Sequence, residues 1–134
     1  MNGVTFDTGA LIGLERRSER MKAVIARIAD RQLPVTIPSV VVAEWYREQR
    51  DARRVLALAV RVEPLTDALA QLAGKALRAT GGNNAIDAIV MASAAQRGDA
   101  VYTSDVADLL GFVDVFPDVR VFGVGGQKPS KKSL

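Results

Sequence analysis

The chain contains neither cysteine nor histidine in its 134 residues, and these two absences remove most familiar catalytic chemistry. Without cysteine there is no disulfide framework, no thiolate nucleophile and no sulfur-ligated zinc. Without histidine there is no Ser-His-Asp triad, and both the usual general base near neutral pH and the commonest zinc or copper ligand are missing. Long apolar runs are lacking as well, and the amino terminus has no positive segment followed by a hydrophobic stretch. Neither a membrane span nor a signal peptide is therefore expected, and the chain reads as soluble and cytoplasmic. A reactive site here must be built from oxygen, and carboxylates, hydroxyls and water together select a hard cation such as magnesium or manganese.

What is present is a composition 49% hydrophobic and 25% charged, enough for one globular domain with a real core. A net charge of +3 and a sequence pI near 9.6 favour a polyanionic partner. The cations are grouped: Arg16, Arg17, Arg20 and Lys22 form one set, and Arg47, Arg50, Arg53 and Arg54 another.

Four acids stand in or beside apolar runs, where an isolated charge is expensive: Asp7 after Val4-Thr5-Phe6, Glu44 within Val40-Val41-Val42-Ala43-Glu44-Trp45, Asp87 within Ala85 to Val90, and Asp105 after Val101-Tyr102-Thr103-Ser104. Taking an ionised carboxylate out of water costs several kcal/mol unless something compensates it. Other acids, Glu15, Glu19, Asp30, Glu48, Asp51 and Asp67 among them, lie in polar surroundings and read as solvated surface charges.

The pattern predicts strands at Val4 to Phe6, Pro34 to Ile37, Arg61 to Pro64, Ala100 to Thr103 and Val119 to Phe122. Helices are predicted from Asp7-Thr8-Gly9 through Leu14, from Ser18 to Arg31, from a Ser39 cap through Arg50, from Thr66 through Leu77, and from Ala85 to Gln96, with a short turn over Val106 to Leu110. Residues Val55 to Val60 could add a further helical stretch. Alternation of this kind predicts an α/β fold, a mainly parallel sheet sandwiched between helices in a single domain over residues 3–122. The remainder, 123–134, reads as a flexible basic tail.

Each acid also has an ordinary explanation. Asp7 and Asp105 follow strands and precede helices, so either could be an N-cap, and Asp87 stands at capping-box spacing from Asn84. Glu44 has the poorest such account, since it lies past the first helical turn among Val41, Val42, Trp45 and Tyr46, and only a salt bridge to Arg47 or solvent exposure beside Glu48 would supply one. Topology favours the joint reading, because ligands of open α/β sheets bind outside the carboxyl ends of the strands. Thr8, Thr103 and Ser104 add hydroxyls able to hold water or a phosphate oxygen, or to cap turns.

Four segments in order, Phe6-Asp7-Thr8-Gly9-Ala10-Leu11-Ile12, Ser39-Val40-Val41-Val42-Ala43-Glu44, Ile86-Asp87-Ala88-Ile89-Val90-Met91-Ala92 and Val101-Tyr102-Thr103-Ser104-Asp105, resemble the PIN-domain ribonucleases, specifically the VapC-type toxins of bacterial toxin-antitoxin pairs. The resemblance covers residue 3 to about 122. It implies that Asp7, Glu44, Asp87 and Asp105 bind Mg2+ or Mn2+ and carry the cleavage of RNA. It also implies a PIN-like fold, a cognate antitoxin that blocks the acidic pocket, and a homodimer. The sequence departs from the family at Gly9, where a small hydroxyl or amide residue is more common.

RNA contacts would then fall to Arg47, Arg50, Arg53 and Arg54, with Trp45 and Tyr46 able either to stack on bases or to pack in the core or a dimer contact. The alternative function is a catalytically weak PIN-like module that binds RNA or protein. A receiver-like phosphoacceptor ranks lower, because Asp7 has no adjacent acid and no lysine follows the last strand closely.

Overall fold

A computed structural model of the chain describes residues 1–47 and 60–125. In chain order the elements are β1 (Val4–Phe6), α1 (Thr8–Glu15), α2 (Glu19–Arg31), β2 (Val35–Pro38), α3 (Ser39–Tyr46), β3 (Val60–Glu63), α4 (Asp67–Thr80), α5 (Ala85–Arg97), β4 (Ala100–Thr103), α6 (Val106–Leu110) and β5 (Val121–Gly123). The five strands form one sheet in the order β3-β2-β1-β4-β5, every pairing parallel, flanked by the helices.

Every residue of β1, β2 and β4 is buried, whereas β3 and β5 at the edges are only partly covered. Strands covered on both faces need continuous apolar runs, and Val-Thr-Phe, Val-Thr-Ile-Pro and Ala-Val-Tyr-Thr supply them. Phe6, Leu11, Met21, Ile37, Val41 and Trp45 are the large side chains at the centre of the core. Each contributes about 1.5–3 kcal/mol by leaving water.

The helix ends follow the local chemistry expected of them. Ser18 caps α2 by accepting the Met21 amide at 3.1 Å, Thr66 caps α4 through Leu69 at 3.1 Å, and Asn84 caps α5 through Asp87 at 3.0 Å. Gly81 and Gly98 close α4 and α5 in the left-handed conformation, with φ of 72° and 75°.

Ser39 departs from its expected role. The N-cap position of α3 is Pro38, and the Ser39 hydroxyl instead accepts the Leu65 amide at 3.2 Å, tying α3 to the segment after β3. The last strand begins two residues later than predicted, at Val121, and includes Gly123. The expected helical stretches over 48–50 and 55–59, and the tail beyond 125, lie outside the described residues.

Helix α5 carries Asp87 at one end and is fastened to the sheet at the other. Seven successive residues, Ala88 to Ala94, are buried. Near its C-terminus Arg97 lies in a polar network: its Nε donates to Asp99 at 2.9 Å, one terminal nitrogen to Glu63 at 2.7 Å and the other to the Thr5 hydroxyl at 2.7 Å. Thr5 in turn donates to Asp99 at 2.9 Å, and Ser93 donates to Glu63. Asp99 is 4% exposed, so the network compensates a nearly dry carboxylate.

Candidate active site

In a parallel sheet of this order the chain runs outward from β1 through β2 to β3, then returns to β4 on the other side of β1. The turns leaving β1 and β4 therefore diverge and open a crevice at their carboxyl ends. Asp7 ends β1 and Asp105 follows β4, so the sheet topology brings these two sequence-distant acids to adjacent turns.

Asp7 occupies the N-cap of α1, as the capping reading expected, and accepts the Ala10 amide at 3.0 Å. Its carboxyl is nonetheless pushed up to about 6, first by burial and then by the charge of Glu44, while Thr103 and the amides of Ala10 and Gly9 pull it back. Capping and an unusual acidity coexist here. Thr103, fully buried, accepts the Asp105 amide at 2.9 Å, and its hydroxyl lies near enough to Asp7 to favour the ionised carboxylate, so one side chain serves both turns.

Glu44 lies on α3 and accepts the hydroxyl proton of Thr8, the first residue of α1. This bond gives a partner to the acid whose structural explanation in the sequence was poorest. Asp87 enters from the first turn of α5, and its carboxyl is raised to about 7 by burial and by the charges of Asp108, Asp7, Asp105 and Glu44, in that order. Among the described residues its side chain makes no return bond to the Asn84 amide, so the capping box is only half formed. Asp105 takes the N-cap position of α6, but its side chain makes no capping bond.

Asp108, an exposed residue of α6, exerts the largest charge effect on Asp87, and sequence reasoning missed it. The available signal was its position three residues after Asp105, which places both on one side of a short helix.

Of the alternatives open for Trp45 the structure takes the core, and the reading of Glu15 is corrected. Trp45 is 2% exposed and donates its indole N-H to Glu15 at 2.7 Å, so it belongs to the core and does not present a face for base stacking. Glu15 is accordingly an indole partner rather than a freely solvated charge. Tyr46 and Arg47 are exposed at the end of α3, while Arg50, Arg53 and Arg54 lie outside the described residues.

Among the described residues no three acids are drawn together into a ready-made ligand set. The donor chemistry still suits a hard divalent cation: every group is an oxygen, the charges of Asp7, Glu44 and Asp105 all bear on Asp87, and that of Glu44 bears on Asp7 as well. Elsewhere, an apolar cavity of about 290 Å³ lies between α1 and α2, lined by Leu14, Arg17, Met21, Lys22, Ile25 and Ala26. No helix among the described residues is long and apolar enough to cross a membrane.

A search of curated proteins finds no significant match. Solved structures with the same fold include a DNA-bound VapBC from Salmonella typhimurium (16% identity, TM-score 0.67, covering 93% of this chain and 100% of that one). A toxin-antitoxin complex from Klebsiella pneumoniae matches at 18% identity and TM-score 0.67, covering 92% and 98%. FitAcB from Neisseria gonorrhoeae matches at 21% identity and TM-score 0.64, covering 90% and 97%. The PIN domain family matches residues 4–107, a span that begins with β1, ends in α6 and includes all four acids; the chain belongs to the PIN domain family.

Proposed function

We propose that the protein is a Mg2+- or Mn2+-dependent endoribonuclease acting as the toxin of a toxin-antitoxin pair. The observation that carries this reading is the gathering of carboxylates around Asp87 at the carboxyl end of a PIN-fold sheet, where burial and the charges of Asp108, Asp7, Asp105 and Glu44 make it a weaker acid than usual. Like charges gathered in this way are relieved either by a proton on Asp87 or, above its raised pKa, by a cation among them. Asp7, Glu44, Asp87 and Asp105 would hold it. When bound, a divalent cation supplies positive charge for a phosphodiester and acidifies water, which a site without histidine otherwise lacks.

The chain's own residues prepare that site. Thr8 fixes Glu44, and Thr103 favours the ionised Asp7 while holding the Asp105 backbone. Asp87 must give up its proton to serve as a ligand, so cation affinity falls as pH drops below about 7. Arg47, with Arg50, Arg53 and Arg54 further along the chain, is suited to phosphate contacts, which salt weakens.

A cognate antitoxin is the proposed protein partner, on the strength of the fold shared with structures described as toxin-antitoxin complexes. The apolar cavity with Arg17 and Lys22 on its lining would suit an apolar segment carrying acidic residues. A homodimer belongs to the same proposal, as does residence in the cytoplasm.

Asparagine retains N-cap capacity, so Asp7→Asn should fold normally and yet lose RNA cleavage by about 100-fold or more. Excess EDTA should do the same to the unsubstituted protein. Cleavage of total RNA by either preparation at the normal rate would refute the assignment. The lack of a ready-made ligand set among the described residues favours one rival, a catalytically weak RNA- or protein-binding module. That rival gains if the protein binds RNA but releases no fragments with either cation.

A further inference from the structure

Two turns carry acids to the crevice from neighbouring strands, and three contacts hold them together. Two are polar: the Asp7 amide donates to the Tyr102 carbonyl at 3.3 Å, and the Thr103 hydroxyl, which accepts the Asp105 amide at 2.9 Å, also favours the Asp7 carboxylate. The third is steric. Gly9, in the first turn of α1, lies so close to Ser104 that a Cβ on residue 9 would stand 2.0 Å from the Ser104 hydroxyl oxygen, 2.6 Å from its Cβ and 2.8 Å from its backbone nitrogen.

All three separations are far inside van der Waals contact. A side-chain tip can swing away, but a backbone nitrogen moves only with its turn. Ser104 lies between Thr103 and Asp105, so whatever displaces it displaces both. Its hydroxyl has no hydrogen-bond partner among the described residues, so the close approach is not enforced by a bond from that group.

We propose that Gly9 and Ser104 form a paired positioning contact: the bare backbone at Gly9 lets Ser104 seat against the first turn of α1, and that seat sets the separation of Asp7 and Asp105 on which cation binding depends. Neither residue need touch the cation. The inference rests on the metal-dependent reading above and adds a geometric requirement to it.

The test is Mn2+ binding by the purified full chain, measured by electron paramagnetic resonance of free Mn2+ alongside thermal melts. Gly9→Ala should weaken Mn2+ binding about 10-fold, in the range that supporting contacts around metal ligands command. Gly9→Ala/Ser104→Gly removes two of the three clashing atoms and should recover about threefold of that loss, incompletely because the backbone nitrogen stays in place. A folded Gly9→Ala variant that binds Mn2+ like the unsubstituted protein overturns the proposal, as does a double variant no better than the single one.

If Gly9→Ala does not fold, the double variant is compared with Ser104→Gly. The remaining backbone clash should make the double variant about threefold weaker or worse, and equal affinities overturn the proposal. Failure of the unsubstituted protein to bind Mn2+ removes the metal reading and the pairing with it. Binding that is indifferent to residue 9 removes the pairing alone.

Discussion

Asp87→Asn is expected to make the cation-free protein more stable at pH 8 while abolishing the proposed RNA cleavage. The Asp87 carboxyl sits at about 7 in the folded chain against 3.8 for an ordinary aspartate, because burial and then the charges of Asp108, Asp7, Asp105 and Glu44 oppose ionisation. A raised pKa means that the folded state binds the proton more tightly than the unfolded state does. Its stabilising effect is complete below about 3.8 and is lost as pH rises through about 7.

At pH 8 the ionised side chain therefore destabilises the fold, and an amide of nearly the same shape does not. A shift of this direction is worth about 1.4 kcal/mol per pH unit, reduced by partial exposure to about 1–3 kcal/mol in all, or several degrees of melting temperature. Thermal melts in EDTA at pH 8 and pH 4 measure the effect. The variant should melt higher at pH 8, and the gap should narrow steadily toward pH 4, where the folded aspartate is neutral. Equal melting temperatures at pH 8 would contradict the electrostatic account of the site. Asp7, at about 6, contributes with the same sign over a narrower window.

Arg97→Ala should have the largest effect on stability. It deletes three hydrogen-bond contacts at once and leaves Asp99, at 4% exposure, with a buried charge that, among the described residues, Thr5 alone still compensates. Breaking a buried pair by removing one partner costs about 3–5 kcal/mol, which for a domain of this size lowers the melting temperature by roughly 10 °C or more. Adding Asp99→Asn should recover part of the loss, since it discharges the abandoned acid. Chemical denaturation of the single and double variants would show it. A single variant within about 1 kcal/mol of the starting protein would mean that water reaches Asp99 readily.

The strands of this fold were readable because β1, β2 and β4 are buried on both faces and so must be uninterrupted apolar runs. The caps at Ser18, Thr66 and Asn84 were equally plain, since each is a local bond to an amide three residues on. Ser39 misled, as its hydroxyl is drawn to the Leu65 amide, a contact that no local rule contains.

The site shows the same division. Its acids stood out against apolar neighbours, but their partners did not: Thr8 on Glu44, Asp108 beside Asp87 and Ser104 over Gly9 are products of the sheet order. Glu15 looked solvated for a similar reason, because the indole it accepts belongs to another helix. Asp7 was neither of two exclusive alternatives, being an N-cap and a member of the acidic group together.

Helix α5 is loaded unequally along its length. Arg97 bolts one end to β1, β3 and the approach to β4, whereas Asp87 at the other end is pressed by charges of its own sign. A strut held in this way cannot relieve the load by sliding, since the anchored end and its seven buried residues resist translation. Relief comes instead as proton uptake by Asp87, so the end of the helix beside the acids answers to pH while the end beside Arg97 is held by its bonds.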